Sequence, residues 1–378
     1  MDELRVGVIG MRRGASLVDA FRHIAGARVT MLHDVDTQRL AGVAGTLGVH
    51  AEPDWDRFLA ADLDAIVVAS PMPFHARQAI AALDAGKAVL AEVMPCRTMP
   101  EAHDLAAAAR RHPDRYMLAE NAVFLDTVEA MRRLVASGVF GRILSAEGDY
   151  VHDCAGLFFT EDGDLTWRGR GDLGIYGTHA LGPLLHITGD RVARVRASAL
   201  PGCLIDPALP IAAMHLLEMQ TVGGITIRTR VDVSSPRPHP STTYYGLQGT
   251  AGAWESARFA GDTDRVWLRD RHEPSRFDVS PPWHPLQALF PEVIPDRGAA
   301  PTSAGGHGTT EFWMLSAFVE AVRAGAPMPV GIHAALDMTL PCILGLDSAA
   351  NDGAWIPVPD SRTWGEASAG GGDRLLPG

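Results

Sequence analysis

Short apolar runs alternate with longer helical segments between Leu4 and about Leu118, and this alternation constrains the fold more than any other feature. The intervening segments, such as His75–Ala85 and Glu101–Arg111, carry Ala and Leu at helical spacing. The pattern is typical of a parallel sheet with covering helices, so it predicts a doubly wound α/β Rossmann domain over residues 1–120. The apolar runs are Leu4–Ile9, Arg28–His33, Ala65–Ala69, Ala88–Ala91 and Tyr116–Ala119.

After Asn121 the pattern changes to alternating strands joined by turns, without crossover helices. Such a series predicts a C-terminal α+β domain over residues 121–365 with a mainly antiparallel open sheet, used for substrate binding and oligomerisation. The predicted strands are Ile143–Tyr150, Arg191–Leu200, His215–Thr221, Gly224–Val233 and Thr242–Gln248, and the predicted helices are Asp126–Ser137, Glu311–Ala324 and His333–Asn351.

Two segments of the second half lack periodicity. Residues 281–307 are rich in Pro and Gly, and they could form a lid or an oligomer contact, which the sequence does not separate. The tail, 366–378, is rich in Gly and is predicted to be disordered.

Composition limits the function classes. The formal net charge of −12 disfavours nucleic acid as a partner, and no apolar run approaches the roughly 18 residues of a membrane span. The four cysteines form no CxxC pair, so neither a disulfide framework nor a metal site is expected. The N-terminus shows neither a basic region nor a small-residue cleavage site. We expect a soluble cytoplasmic protein with a small-molecule partner.

The turn after the first strand reads Gly10-Met11-Arg12-Arg13-Gly14, an incomplete dinucleotide-binding turn. Arg12 and Arg13 could contact phosphate or be solvated. Asp34 ends the second strand. Its distance from the turn is close to the roughly 20 residues at which a carboxylate accepts hydrogen bonds from the ribose hydroxyls. The alternative is that Asp34 caps a helix. A carboxylate there repels a 2′-phosphate, so the predicted cofactor is NAD. The loop Ser70, Pro71 to His75 follows a predicted parallel strand, where ligands bind in such sheets.

The segment GDLGIYGTHALGPLLHITG places Tyr176 and His179 three residues apart as a helix begins. Side chains at that spacing share a helical face, so the phenol and the imidazole can reach one small molecule together. Lys87 is the only lysine and lies in a polar turn ahead of a strand. Tyr, His, Glu, Asp or Arg must therefore carry any chemistry.

The chain resembles the glucose-fructose oxidoreductase, inositol dehydrogenase and MocA family (Gfo/Idh/MocA). The resemblance covers nearly the whole chain and rests on VGVIG, Asp34, AIVVASPMPFHARQAIAALDAGKAVLAE and GIYGTH. The family's Glu-Lys-Pro, which supplies a lysine beside the nicotinamide, is replaced by Glu92-Val-Met-Pro95, and Tyr176 replaces an Asp of the family. The usual acid/base lysine is therefore missing.

Further motifs are similar to one branch of the family, the NAD-dependent glycosidases that resemble α-N-acetylgalactosaminidase. These motifs are Glu120-Asn121, Tyr150-Val-His152-Asp153, Trp167-Arg168, Tyr176-Gly-Thr178-His179, the Gly-Leu-Gln-Gly-Thr that follows Tyr245, and Gly306-His307-Gly308. The resemblance implies that NAD oxidises a sugar carbon, that the ketone acidifies the adjacent C–H bond, and that the glycosidic group leaves by elimination before water adds and the hydride returns.

Physical chemistry gives individual residues roles in this cycle. His179 would accept a hydroxyl proton, Tyr176 would donate to a developing alkoxide, Tyr150 would serve as a second proton shuttle, and Glu120 would orient the sugar or an imidazole. Core packing is an alternative for Tyr150 and for Trp167, and a purely structural hydrogen bond is one for His179. Further cofactor contacts are expected at Glu92, Asn121, Trp167 and Arg168, and substrate contacts at His152, Asp153, Thr178, Tyr245 and His307.

Three functions remain open. The first is redox-neutral cleavage of a glycoside, which the missing lysine favours. The second is plain dehydrogenation of a sugar or cyclitol, and the third is a regulatory protein that binds NAD(H) without catalysis. By analogy with the family, we expect a homo-oligomer, a dimer or a tetramer.

Overall fold

The structure is a computed structural model. It describes residues 3–171, 174, 176–209, 211–238, 242–271, 283–298, 300–301 and 308–365.

The N-terminal half forms a six-stranded parallel sheet in the order β3-β2-β1-β4-β5-β6. Its strands are β1 (Leu4–Ile9), β2 (Ala27–His33), β3 (His50–Ala51), β4 (Ala65–Val68), β5 (Ala88–Ala91) and β6 (Tyr116–Leu118). The strand order reverses between β1 and β4, which is the crevice where dinucleotides bind in this fold. The predicted α/β Rossmann architecture is confirmed.

Five α-helices connect these strands: α1 (Met11–Phe21), α2 (Thr37–Leu47), α3 (Trp55–Ala60), α4 (His75–Asp84) and α5 (Met99–Arg111). The central strands β4 and β5 are fully buried, with all eight residues apolar, as expected for strands covered on both faces. The carboxyl ends of β1, β2, β4 and β5 therefore meet at one edge, and this edge carries the predicted cofactor residues.

The C-terminal half forms a nine-stranded sheet in the order β14-β13-β12-β11-β7-β10-β9-β8-β15. Its strands are β7 (Ile143–Val151), β8 (Val192–Leu200), β9 (Met214–Thr221), β10 (Thr226–Asp232), β11 (Thr243–Gly249), β12 (Gly252–Glu255), β13 (Arg265–Leu268), β14 (His284–Pro285) and β15 (Ile356–Pro357). The mainly antiparallel sheet is confirmed. One central pair, β7 with β10, is parallel, because a helix and two strands separate them in the chain.

The helices of this half are α6 (Asp126–Ala136), α7 (Thr178–Thr188), α8 (Leu286–Leu289), α9 (Thr309–Ala324) and α10 (Ile332–Ala350). Helix α7 packs on β7, and α10 packs on β8 and also on α5 of the Rossmann domain. Gly148 in β7 allows the close approach of α7, because a Cβ at Gly148 would lie 2.1 Å from the carbonyl oxygen of Ala180. This contact fixes the start of α7 over the sheet.

Of the Pro- and Gly-rich segment 281–307, the structure describes residues 283–298 and 300–301. There β14 pairs with β13, and Arg297 donates to the carbonyl oxygen of Phe124 at 3.1 Å. The tail 366–378 lies outside the described residues. Among the described helices, none combines the length and apolarity that crossing a membrane requires.

Candidate active site

The glycine turn after β1 has a conformation that only glycine tolerates. Gly10 has φ +89, and a Cβ there would lie 2.5 Å from the carbonyl oxygen of Ala69 and from the Cα of Ser70. Its N–H donates to the carbonyl oxygen of His33 at 2.9 Å, and α1 begins at the next residue, Met11. Glycine at this position thus lets the turn pack against the loop after β4, next to the N-terminus of a helix, where phosphates bind in this fold.

Asp34 lies at the carboxyl end of β2 beside this turn and is buried. Its Oδ2 accepts from the Met11 N–H at 2.6 Å, and its Oδ1 accepts from the Asp36 N–H at 2.9 Å. The side chain that caps α2 is Asp36, which accepts from the N–H of Arg39, whereas Asp34 accepts from the first residue of α1. A glycine cradle with a carboxylate beside it fits the ribose and pyrophosphate of NAD.

The two arginines of the turn differ in environment. Arg12 is exposed, whereas Arg13 donates to Oε1 of Glu92 at 2.9 Å and to the hydroxyl of Ser16 at 3.0 Å, and it also pairs with Glu311. Burial alone would lower the pKa of Arg13, but the charges of Glu92 and Glu311 raise it, so this side chain stays cationic. In the structure Arg13 joins α1, the end of β5 and α9.

Glu311 is a site residue that the sequence reasoning missed. Its side chain is completely buried in the first turn of α9. An acidic residue at a helix start is common, because the helix dipole favours it there, so the sequence signal was not distinctive.

The predicted loop after β4 is held by His75. Its ring nitrogens lie 2.7 Å from the carbonyl oxygen of Ser70 and 2.9 Å from that of Met94, so the imidazole bridges the loops that follow β4 and β5. Burial lowers the pKa of His75. The Ser70 hydroxyl donates to Gln78 at 2.5 Å, and Pro71 is exposed beside it. Because His75 is 2 % exposed, any effect on the cofactor passes through the two loops.

Met94 occupies the end of the Glu92-Val-Met-Pro95 segment, where the family's lysine is missing. It is fully buried, and the hydroxyl of Thr178 lies 3.5 Å from its sulfur. Thr178, the first residue of α7, is itself fully buried, and its side chain also hydrogen-bonds Glu120. The position therefore supplies neither a charge nor a titratable proton.

His179 and Glu120 form a buried pair. Nδ1 of His179 donates to Oε1 of Glu120 at 2.6 Å, and Glu120, which follows β6, is fully buried. Burial alone would lower the pKa of His179, but the charge and hydrogen bond of Glu120 raise it. Burial would likewise raise the pKa of Glu120, but His179 lowers it. The pair can hold a proton on the imidazole, because the carboxylate stabilises the imidazolium.

Three predicted catalytic rings lie side by side. The ring centroid of Tyr150 lies 4.8 Å from that of His179 and 6.2 Å from that of Tyr176, and the centroids of Tyr176 and His179 are 6.0 Å apart. The phenol of Tyr150 is hydrogen-bonded to Nδ1 of His152 at 2.7 Å. The hydroxyl of Tyr176 donates to the carbonyl oxygen of Val93 at 3.4 Å, next to Met94.

Tyr245 is buried behind these rings, where its hydroxyl donates to the carbonyl oxygen of His179 at 2.6 Å. Tyr245 thus contacts the backbone of His179 and not its imidazole. Asp153 is exposed and accepts from the Ala155 N–H at 3.0 Å. His307 lies outside the described residues.

The remaining predicted contacts flank the cluster. Asn121 donates to the hydroxyl of Thr310 at 3.2 Å, beside Glu311 in α9. The guanidinium of Arg168 lies 4.3 Å from the ring centroid of Trp167, and its charge lowers the pKa of Tyr176 against the larger effect of burial, which raises that pKa to about 12. Among the described residues, no group of three or more His, Cys, Asp or Glu is arranged to hold a metal ion.

Comparisons with known proteins match both domains. Residues 4–120 match the family described as "Oxidoreductase family, NAD-binding Rossmann fold". Residues 213–366 match "Glycosyl hydrolase 109, C-terminal domain".

Curated relatives are also named as glycosyl hydrolase 109 proteins. A glycosyl hydrolase family 109 protein of Saccharopolyspora erythraea is 27% identical over 95% of this chain and 83% of its own length. One of Stenotrophomonas maltophilia is 26% identical over 81% of this chain and 74% of its own length.

Solved structures share the fold. An oxidoreductase domain protein of Kribbella flavida has a TM-score of 0.79 and 23% identity over 95% of this chain and all of its own. A levoglucosan dehydrogenase in complex with NADH and L-sorbose has a TM-score of 0.77 and 21% identity, with the same coverage. The NAD-binding domain is thus confirmed, and with it the cofactor prediction. The chain is thus similar to the Gfo/Idh/MocA oxidoreductases in its NAD-binding Rossmann domain, residues 4–120, and to glycosyl hydrolase 109 proteins in its C-terminal domain, residues 213–366.

Proposed function

We propose that this enzyme cleaves a glycoside by a redox-neutral cycle of oxidation, elimination, addition of water and re-reduction, with NAD retained. One observation carries the proposal, namely two separate proton-handling pairs at the cofactor edge, His179 with Glu120 and Tyr150 with His152. Plain dehydrogenation of an alcohol requires a single proton acceptor. Elimination next to the new ketone requires a second proton acceptor, and the pair of Tyr150 with His152 supports that role.

When bound, NAD accepts a hydride from the sugar and returns it. Removal of the hydride requires removal of the hydroxyl proton from the same carbon, and His179 is suited to this, because its Nδ1 already donates to Glu120 and its other nitrogen is left to accept. Glu120 then stabilises the imidazolium in a buried setting. The proton stays on His179 until the ketone is reduced again.

The missing lysine fits this assignment. Met94 and Thr178 contact each other as buried, uncharged groups, so neither competes with the imidazole of His179 as the base. Tyr176, whose pKa burial raises to about 12, stays protonated and is placed to donate to the developing alkoxide. The glycosyl hydrolase 109 names of the relatives support a glycoside as substrate.

Further contacts follow from the same cluster. We assign the cofactor to Gly10, Met11, Asp34, Ser70, Pro71, Asn121, Trp167 and Arg168, with Arg12, Arg13, His75 and Glu92 shaping the edge. We assign the sugar to the side lined by His152 and Asp153, and Tyr245 and Thr178 act by holding His179 and its helix. The assignment of His307 rests on sequence alone.

The test is to incubate the purified protein, without added NAD, with a panel of 4-nitrophenyl α- and β-glycosides in heavy water. Aglycone release together with deuterium at C2 of the sugar, followed by NMR, is expected. If instead nothing is released and reduced cofactor accumulates when NAD and a free sugar are supplied, the enzyme is a plain dehydrogenase. Binding of NAD with neither outcome would indicate a regulatory protein.

We also propose a cytoplasmic homo-oligomer that assembles through the outer face of the nine-stranded sheet, opposite α7 and α10. That face carries cross-strand ion pairs, Arg196 with Glu218 at 2.6 Å and Arg228 with Glu147. An interface of this kind is weakened by salt. Light scattering is expected to show a dimer or tetramer that dissociates in Arg228→Glu but not in the control Arg57→Glu, and a monomer under all conditions would contradict the proposal.

A further inference from the structure

The pair of Tyr150 and His152 differs from that of His179 and Glu120 in one respect. The imidazole of His152 is only half-buried, whereas His179 is buried. Tyr150 lies near the buried end of β7, with 8 % of its surface exposed, and its ring packs against His179. His152 follows two residues later, and its backbone N–H donates to the carbonyl oxygen of Asp232 at 2.8 Å. The phenol and Nδ1 of the imidazole are 2.7 Å apart. A short hydrogen bond thus joins an interior group to one nearer the surface.

Among the three tyrosines of the site, Tyr150 alone is bonded to a group that can take a proton. The hydroxyl of Tyr176 donates to the carbonyl oxygen of Val93, and that of Tyr245 donates to the carbonyl oxygen of His179. A peptide carbonyl accepts a hydrogen bond but is not a base at neutral pH. Nδ1 of a neutral imidazole is such a base.

Tyr150 is poorly suited to act as a base by itself. Burial raises the pKa of its phenol well above 10, and the nearby Tyr176 and Glu120 raise it further. A free phenolate is therefore strongly disfavoured at this position. A phenol that passes its own proton onward as it receives another never becomes a phenolate.

We propose that His152 is the terminal proton acceptor of the elimination step and that Tyr150 relays the proton to it. This inference rests on the proposed function. The C–H bond at C2, next to the ketone at C3, breaks, and its proton goes to the Tyr150 oxygen as the phenolic proton moves to Nδ1 of His152. The C–H electron pair forms the C1–C2 double bond, and the leaving oxygen departs with the C1–O pair and takes a proton from water. NAD is the oxidant that generates the ketone beforehand.

This assignment divides the work between two imidazoles. His179, paired with the fully buried Glu120, keeps the hydroxyl proton that is needed again for re-reduction. His152 exchanges the C2 proton with solvent, so deuterium enters at C2. His152 acts through Tyr150 and is a positioning residue, whereas Tyr150 touches the reacting atoms.

The experiment compares His152→Asn with the wild-type enzyme, because the Asn side-chain oxygen can accept the phenol's hydrogen bond but not its proton. The probe is 4-nitrophenyl α-N-acetyl-D-galactosaminide, or the member of the glycoside panel that the wild-type enzyme cleaves, with deuterium at C2 or at C3. In the variant, aglycone release is expected to fall by about 10² to 10⁴-fold. The isotope effect from C2 should become fully expressed, while that from C3 disappears.

Three further measurements make the result decisive. Tyr150→Phe should show the same loss, with NAD content and melting temperature close to wild type. His186→Asn, on the far part of α7, is the matched control and should keep wild-type rates. Added imidazole should partly restore His152→Gly.

The proposal is overturned if His152→Asn retains release within about threefold of wild type, or if the isotope effect from C3 grows instead, since His152 would then serve the oxidation or substrate binding. If the wild-type enzyme neither releases aglycone nor exchanges C2, the proposed function itself has failed, and the relay fails with it. These results are distinguishable because the first two arise only where the wild-type enzyme is active.

Discussion

At the residue scale, the chemistry depends on Glu120, a fully buried carboxylate held against one imidazole. Burial would lower the pKa of His179, but the charge of Glu120 raises it above the usual 6.5. In Glu120→Gln the charge is lost and the pKa of His179 falls. The acidic limb of the pH profile of kcat/KM should therefore move to lower pH, and the plateau should fall by about 10²-fold, because the base is weaker.

This shift is measured with the cleaved glycoside across pH. Glu129→Gln is the control, because Glu129 is paired with Arg132 and Arg133 on α6, away from the site. An acidic limb that stays in place would mean that a group other than His179 titrates in it.

The same pair makes folding stability depend on pH. The pKa of Glu120 is lowered in the folded chain, so its contribution is present above its usual 4.5 and is lost as pH falls through the folded value. The pKa of His179 is raised, so its contribution is present below 6.5 and is lost as pH rises through the folded value. Urea unfolding of wild type and Glu120→Gln should differ most between pH 4.5 and 6.5. A difference that keeps growing above neutral pH would contradict the assignment.

The glycine turn gives a prediction with opposite signs at two glycines. Gly10→Ala places a Cβ 2.5 Å from backbone atoms at φ +89, so unfolding free energy should fall by about 1–3 kcal/mol and NAD binding should be lost. Gly42→Ala lies within helix α2, where an added Cβ meets nothing within 4 Å, and should stabilise the chain by about 0.5–1 kcal/mol. Thermal unfolding and calorimetric titration with NAD measure both effects, and equal behaviour of the two variants would rule out the proposed cradle.

At the scale of elements, α9 is tied to the cofactor edge by its first turn. Glu311 pairs with Arg13 of α1, and Thr310 accepts from Asn121. Arg13→Ala removes the cation between Glu92 and Glu311, and breaking such a buried pair costs about 3 kcal/mol. NAD should also dissociate faster, because the edge of the sheet loses its connection to α9. Arg57→Ala removes an exposed cation of α3 and should leave both properties unchanged. Equal effects of the two variants would show that the connection through Arg13 has no such role.

The sequence predicted the longer elements well. β1 was predicted with its observed bounds, and the predicted Glu311–Ala324 is α9 with two more residues at its start. Long apolar runs and helical periodicity are local signals that packing seldom overrides. β3, β14 and β15 are two-residue strands, too short to show a period, and β12 and β13 were also missed. The parallel pairing of β7 with β10 depends on the topology of the whole sheet, which no local sequence pattern encodes.

The site was predictable in its residue types more than in its contacts. The motifs brought Tyr150, Tyr176, His179 and Glu120 together correctly, because each lies at the end of an element that the pattern located. The pairing of Arg13 with Glu311 joins residues 298 positions apart and had no sequence signal. The hydrogen bond of Tyr245 to the His179 carbonyl likewise depends on how α7 seats on β11, which follows from packing and not from periodicity.

At the scale of the whole molecule, the cofactor should stabilise both domains together. Helix α10 packs on α5 of the Rossmann domain and on β8 of the second sheet, so the two halves share one buried element. Binding to the folded state alone adds about 2.7 kcal/mol at a hundredfold excess over Kd, so NAD should raise a single thermal transition. NADP should raise it less, because the buried Asp34 carboxylate repels a 2′-phosphate. In Asp34→Ser the gap between NAD and NADP should close. If NADP already stabilises the wild-type chain as strongly as NAD does, Asp34 does not select the cofactor, and two separate transitions would show that the domains unfold independently of the shared helix.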